Sequence, residues 1–206
     1  MHPYDNMTIS NFPSLTIGWV AIAAGVAGLL ALVFSILLFT VGQPFGTLND
    51  LCIGIAAILS AVLAGMLTPQ VHDQSPLLRL ITLVVAVGGA LVVTVGSVLV
   101  IFGITGWFLA GLYMAAGNAL IGLWLLGVNY FAQHGNLWSN SLAISGMIIG
   151  VIMLFGLAVI PGIFRGIDAW ESAPWYINYI GWAGALGWLI LYPIWCIGFG
   201  RSLLLN

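Results

Sequence analysis

The stretch LTIGWVAIAAGVAGLLALVFSILLFTV, residues 15–41, contains no charged side chain along its whole length. An α-helix of this length exceeds the hydrocarbon core of a bilayer, which is about 30 Å thick. The stretch is also longer than the apolar region of a secretory signal, and the preceding residues MHPYDNMTISNFPS lack the positive charge of one. It therefore predicts a retained first transmembrane helix behind a polar N-terminal tail, residues 1–14.

The same apolar pattern recurs along the rest of the chain, interrupted by short segments rich in Pro, Gly and polar residues. Each apolar run is long enough to span a membrane. We therefore expect an all-α fold, a polytopic bundle of six transmembrane helices that forms one domain over residues 15–201. The predicted spans are about 15–41, 47–67, 77–102, 106–130, 141–161 and 177–200.

Composition supports a membrane protein and excludes several classes of partner. The chain is 62% hydrophobic and 4% charged, with a mean hydropathy of +1.19, whereas soluble domains carry about 25% charged residues. It has three Arg and no Lys, which excludes a basic surface for nucleic acid. The lipid bilayer is the expected partner, and a membrane-protein partner or a homo-oligomer fits the same composition.

Six spans place both termini on one side of the membrane. Arg79 and Arg201 fall on that side, and Arg165 falls on the other. Because cytoplasmic loops carry the excess of Lys and Arg, this distribution favours cytoplasmic termini by a margin of one residue.

Small residues predict where the helices touch, because close packing and interhelical hydrogen bonds drive helix association in lipid. We expect contact along a glycine stripe in the third span and along a small-residue face in the fourth. Asn118 lies on the latter face, and an unsatisfied amide is costly in hydrocarbon. A hydrogen bond from Asn118 to a neighbouring helix is favoured over a ligand contact. The glycine stripe of the third span comprises Gly89, Gly96 and Gly103. The small-residue face of the fourth span comprises Gly111, Ala115, Asn118 and Gly122.

Two polar segments open on the side opposite the termini. Asn49 and Asp50 begin the second span, and the loop FRGIDAWESAPWY, residues 164–176, joins the fifth and sixth spans. In one interpretation Arg165 pairs with Asp168 and tryptophans anchor a short interfacial helix. In the other, the two segments form an aromatic-lined mouth for a small polar solute or a lipid headgroup. The first is favoured. The mouth would comprise Asn49, Asp50, Arg165, Asp168, Trp170 and Glu171.

Asp50 also has a purely structural interpretation. Thr47 can act as the N-cap of the second helix with Asp50 three residues later, a T-x-x-D variant of the capping box. The positive end of the helix dipole favours an acid at this position. This interpretation is preferred for Asp50 and leaves Asn49 unexplained.

Catalytic and metal-binding patterns are nearly absent from the sequence. No Asp, Glu, Lys, Arg or His lies near the middle of a predicted span, which argues against proton pumps, ion-coupled antiporters and voltage sensors. His72, Asp73 and His134 share one side and could hold a metal, but their spacing favours solvated loop residues. We predict no metal and no catalytic residue, and no cofactor beyond a lipid or pigment held between helices.

The segments PFGTLNDL (44–51), TGWFLAGL (105–112) and GWLILYPIWCIGFGRSLL (187–204) resemble six-helix bacterial integral membrane proteins of unknown function. The resemblance runs along most of the chain. It implies six spans and a location in a bacterial inner membrane, and it assigns no site.

Three functions remain open at this point. The sequence favours a non-enzymatic accessory or scaffolding subunit that packs against a partner and binds lipid or pigment between its helices. The first alternative is a channel or facilitator for a small neutral solute, in which Thr94, Ser97 and Thr105 assist Asn118. The second alternative is a membrane-surface enzyme that uses the acidic loop at 165–171.

Overall fold

The computed structural model describes residues 14–71 and 76–205, and this part of the chain is an all-α bundle. Six helical segments are long and apolar enough to cross a membrane, which confirms the predicted fold class. The first four segments are continuous α-helices. They are α1 (Ser14–Thr40), α2 (Phe45–Val71), α3 (Pro76–Ile101) and α4 (Trp107–Gly135).

The fifth and sixth spans are interrupted within the membrane. The fifth consists of α5 (Asn140–Leu154), a 3₁₀ segment (Phe155–Val159) and α6 (Ile160–Phe164). After a loop with a 3₁₀ turn at Trp170–Ser172, the sixth consists of α7 (Trp175–Leu186), a π turn (Gly187–Leu191) and α8 (Tyr192–Leu204). Pro193, which has no backbone N–H, lies in the first turn of α8, directly after the π turn. The break in the fifth span was not predicted.

Helices adjacent in sequence pack against each other, and α8 closes the ring against α1. The most buried span is α4, with 15 buried residues against eight in α1. A Cβ atom on Gly18 would meet the carbonyl oxygen of Gly200. The start of α1 therefore touches the end of α8 at one end of the bundle, which we call the terminal half. The loop half contains the turn between α1 and α2, the turn between α3 and α4, and the loop before α7.

Glycines allow the closest helix contacts. A Cβ atom on Gly150 would meet the carbonyl oxygen of Gly122, and one on Gly122 would meet that of Gly150. Gly89 of α3 and Gly117 of α4 form a second reciprocal pair. Gly103 does not extend the predicted stripe, because it lies beyond the end of α3 with a φ of 65°.

Polar side chains in the terminal half find partners within the protein. The Trp124 indole donates to Thr68 Oγ1 at 3.2 Å, which links α4 to α2. The Trp138 indole donates to Asn129 Oδ1, also at 3.2 Å, and the Trp195 indole donates to the carbonyl oxygen of Leu142 at 3.0 Å. Each bond satisfies an indole N–H that would be costly to leave unpaired in hydrocarbon.

Candidate ligand cavity

A cavity of about 320 Å³ lies in the loop half, between α1, α2, α4 and α7. This volume falls at the lower end of the range of small-molecule sites, about 300–1,000 Å³. The cavity is partly open to the outside, and its lining is mostly aliphatic and aromatic. Its aromatic residues are Phe39, Trp107, Phe108, Trp170, Trp182 and Trp188.

Helical periodicity and the absence of a side chain create this space. On α4, Gly111 and Ala115 line the cavity one turn apart, and a Cβ atom on Gly111 would meet nothing within 4 Å. On α7, Asn178 and Trp182 line it with the same spacing. Trp188 comes from the π turn, a kind of irregularity found frequently at functional sites.

Asn49 and Asp50 both line the cavity and are equally buried, each 5% exposed. The Asn49 Nδ2 group donates to the carbonyl oxygen of Ala31 on α1, at 2.7 Å. Asp50 makes no side-chain hydrogen bond or ion pair with any residue in the described ranges 14–71 and 76–205. Asn49 therefore joins α2 to α1, while the Asp50 carboxyl remains free for an external partner.

The capping interpretation of Asp50 is wrong. Helix α2 begins at Phe45, two residues before Thr47, and the Leu48 N–H is already bonded to the carbonyl oxygen of Pro44. Thr47 is thus inside the helix and cannot serve as its N-cap. Asp50 lies in the second turn, beyond the free N–H groups of the first turn.

Two further polar groups of the cavity lining lack partners. Asn178 is 9% exposed, and its Nδ2 group donates to the carbonyl oxygen of Trp170 at 3.2 Å. The Asn178 Oδ1 atom and the Trp188 Nε1 atom are buried, with no hydrogen-bond partner among the described residues. Neither residue was singled out from the sequence. For Asn178, an amide in an apolar span was the available signal.

Trp170 is the residue of the loop before α7 that lines the cavity. Its ring packs against Phe108 and Trp182, with centroid distances of 6.0 and 6.1 Å. Its backbone carbonyl accepts the Asn178 hydrogen bond. Edge-to-face and tilted ring contacts at this distance are favourable, so α4 and α7 hold the loop tryptophan at the cavity rim.

The other predicted mouth residues are exposed and do not line the cavity. Asp168 instead accepts hydrogen bonds from the backbone N–H groups of Gly106 at 2.7 Å and Leu109 at 2.9 Å. It therefore caps α4 from a distant loop. The expected pairing of Arg165 with Asp168 is wrong, since Arg165 forms no ion pair within the described part of the chain. Glu171 lies in the exposed 3₁₀ turn.

Asn118 lies at a second, smaller cavity. Its Nδ2 group donates to the carbonyl oxygen of Met114 in its own helix, at 2.9 Å, so the expected bond to a neighbouring helix is wrong. The smaller cavity has about 20 Å³, room for about one water molecule. It shares Ile53, Trp188 and Leu189 with the large cavity. Thr94, Ser97 and Thr105 line neither.

The candidate metal residues are only partly within the described structure. His72 and Asp73 lie outside the described residues. His134 is in the last turn of α4, not in a loop, and its Nδ1 atom is 2.8 Å from the carbonyl oxygen of Tyr130. Within residues 14–71 and 76–205, no group of three or more His, Cys, Asp or Glu residues could hold a metal ion.

Comparison of this chain with models of protein families, with curated proteins and with solved structures found no match.

Proposed function

We propose that this protein is a non-enzymatic membrane protein that binds a lipid-like small molecule in the cavity of its loop half. The observation that carries the proposal is a largely apolar cavity whose lining includes three buried polar groups with no partner among the described residues. These are the Asp50 carboxyl, Asn178 Oδ1 and Trp188 Nε1. Buried polar groups in proteins normally have partners, and a few polar groups in an apolar pocket are typical of small-molecule sites.

The residues that line the cavity favour binding over chemistry. Asp50 is the one ionisable residue among them. The lining also holds the Ser35 hydroxyl, but it contains no His, no Lys and no second acid, so Asp50 and Ser35 offer no acid–base pair. The acids of the surface loop, Asp168 and Glu171, do not line the cavity, which leaves the enzyme alternative without residues there.

In the cell, we place the protein in a bacterial inner membrane with both termini in the cytoplasm, as an accessory subunit of a partner or of a homo-oligomer. The arginine distribution supports this orientation, and the sequence resemblance supports the location. Apolar side chains on the outer faces of α1, α3 and α5 are exposed. They offer surfaces that either lipid or a partner helix can cover.

A pair of glycine substitutions on α4 tests ligand binding. Gly111→Phe places a phenyl ring in the cavity, and Gly127→Phe places one in open space outside it, since a Cβ atom meets nothing within 4 Å at either position. Native mass spectrometry and absorbance spectra of protein purified from native membrane would report the retained lipid or pigment. We expect retention by the unmodified protein and by Gly127→Phe, and a loss of about tenfold or more in Gly111→Phe. Equal retention by all three proteins would contradict the proposal.

A facilitator for a small neutral solute is the second candidate, because the two cavities share a wall. Ile53, Trp188 and Leu189 line both the large cavity and the smaller one at Asn118. In this case Trp188→Ala should join the cavities and raise the flux of a neutral solute into liposomes. No flux through either protein would remove this candidate without affecting the binding proposal.

A further inference from the structure

The lining of the large cavity has one ionisable residue, which is an acid. Asp50 is its acidic residue, and none of the described residues that line it is Lys, Arg or His. The exposed Arg165 lies outside the lining. An anionic ligand group would therefore meet a carboxylate without any compensating cation.

Asp50 lacks the partner that its burial requires. It is as buried as Asn49, whose amide is bonded to Ala31. A carboxylate in an apolar environment is costly unless it is paired, and a bound cation offsets this cost. The missing partner is therefore a group that carries positive charge or donates hydrogen bonds to the carboxyl.

The aromatic rings around the cavity indicate what kind of cation fits. Indole and phenyl faces attract ammonium groups, and they do so more strongly when the cation is desolvated. Rings of the cavity lining also contact one another, with centroid distances of 5.9 Å for Phe39 and Trp107 and 6.0 Å for Phe108 and Trp170. Inorganic divalent cations instead require about six oxygen ligands, and the apolar lining cannot supply them.

We infer that the large cavity binds an amphipathic molecule through an organic ammonium group. The ammonium group lies beside Asp50 and the aromatic rings, and the apolar tail lies along α4 and α7. The inference rests on the proposed function and names its ligand class. Asn178 Oδ1, buried and unpartnered in the same lining, accepts an N–H of a primary ammonium. The ammonium group belongs either to a lipid headgroup such as ethanolamine or to a free amphipathic amine.

Two probes of similar size test the charge requirement. Decyltrimethylammonium carries a positive charge, whereas decyldimethylamine N-oxide has no net charge. Both would be titrated by isothermal calorimetry into the purified protein in dodecyl maltoside, with protein-free micelles subtracted. We expect the ammonium probe to bind at least about tenfold more tightly than the N-oxide, because only a net positive charge gains both an ion pair with Asp50 and strong cation–π contacts with the rings.

Matched variants assign the preference to Asp50. Asp50→Asn should reduce the affinity for the ammonium probe about tenfold and change that for the N-oxide less than about twofold. Glu171→Gln, an exposed acid outside the cavity, should change neither. Equal affinity of the native protein for both probes overturns the inference even if the Asp50 variant does not fold. The proposed function survives that result provided that Gly111→Phe abolishes binding of both probes, and fails if Gly111→Phe leaves binding intact.

A competition arm identifies the source of the ammonium group. Phosphatidylethanolamine and phosphatidylglycerol would each be added to the micelles before titration with the ammonium probe. Competition by phosphatidylethanolamine alone supports a lipid headgroup as the ligand, and competition by neither supports a free amphipathic amine. Competition by phosphatidylglycerol alone would overturn the inference, because that headgroup has no ammonium.

Discussion

Several buried polar groups of the terminal half have hydrogen-bond partners that two groups of the loop half lack. In the terminal half, Trp124 and Trp138 donate to side chains of Thr68 and Asn129. In the loop half, the Trp188 indole and the Asp50 carboxyl have no partner among the described residues, and both line a cavity. The difference indicates that these polar groups of the terminal half hold helices together, whereas Trp188 and Asp50 in the loop half are available to a ligand.

The loop half also has open space beside a helix, whereas the glycine contacts between α4 and α5 have none, and this difference gives the largest predicted effect. Gly150→Phe would drive a side chain into the backbone of α4 at Gly122 and Leu126, while Gly111→Phe enters open space. Overpacking against backbone should cost about 3 kcal/mol or more. We expect Gly150→Phe to lose most of its folded yield and Gly111→Phe to retain its thermal midpoint in detergent, as measured by circular dichroism. Equal stability of the two variants would show that the space around Gly111 is closed in solution.

Substitution of Asn49 and of Asp50 by Leu should change the stability of the protein in opposite directions, although the two residues are neighbours and equally buried. Asn49→Leu removes the hydrogen bond from the Asn49 amide to the carbonyl oxygen of Ala31, at a cost of about 1 kcal/mol. Asp50→Leu removes a carboxyl that has no partner within the described structure, so the ligand-free protein should become more stable by a similar amount. Thermal midpoints of delipidated protein would measure both changes. A loss of stability in Asp50→Leu would reveal a structural role for the acid.

The smallest predicted effect concerns two tryptophans. Trp124→Phe loses the bond to Thr68, and interhelical hydrogen bonds in membranes contribute about 0.6 kcal/mol on average. Trp188→Phe removes an indole N–H that is unpartnered in the described structure, so its thermal midpoint should stay the same or rise slightly. Trp124→Phe combined with Thr68→Val serves as a control, because removal of both partners should restore part of the loss.

The lengths of the apolar runs were enough to predict the fold. Six apolar runs gave six spans, because each helix must satisfy its own backbone in lipid. The limits of the spans were less accurate: α4 continues to Gly135, and α8 continues to Leu204. Residues 1–13, 72–75 and 206 lie outside the described structure, so the polar N-terminal tail and the placement of His72 and Asp73 stay predictions.

The candidate site was only partly predictable, for a physical reason. Asn49, Asp50 and Trp170 line the cavity, and they were selected as polar or aromatic residues on one side of the membrane. Asp168 binds backbone N–H groups some 60 positions earlier in the chain. A bond of this kind depends on tertiary placement, which local spacing does not encode. The space at Gly111 is equally invisible in sequence, where a glycine predicts contact as readily as a void.

At the π turn, Gly187–Leu191, the number of residues in the segment determines how α8 is oriented relative to α7. A π turn contains one residue more per hydrogen-bonded ring than an α turn. Deletion of one residue from this segment would allow an unbroken α-helix, but would rotate all that follows by about 100° relative to α7. Trp188 lines the cavity before the turn ends, and the Tyr192 hydroxyl donates to Ser60 just after it, at 2.9 Å. One inserted residue thus allows a single span to serve the ligand site at one level and helix packing at the next.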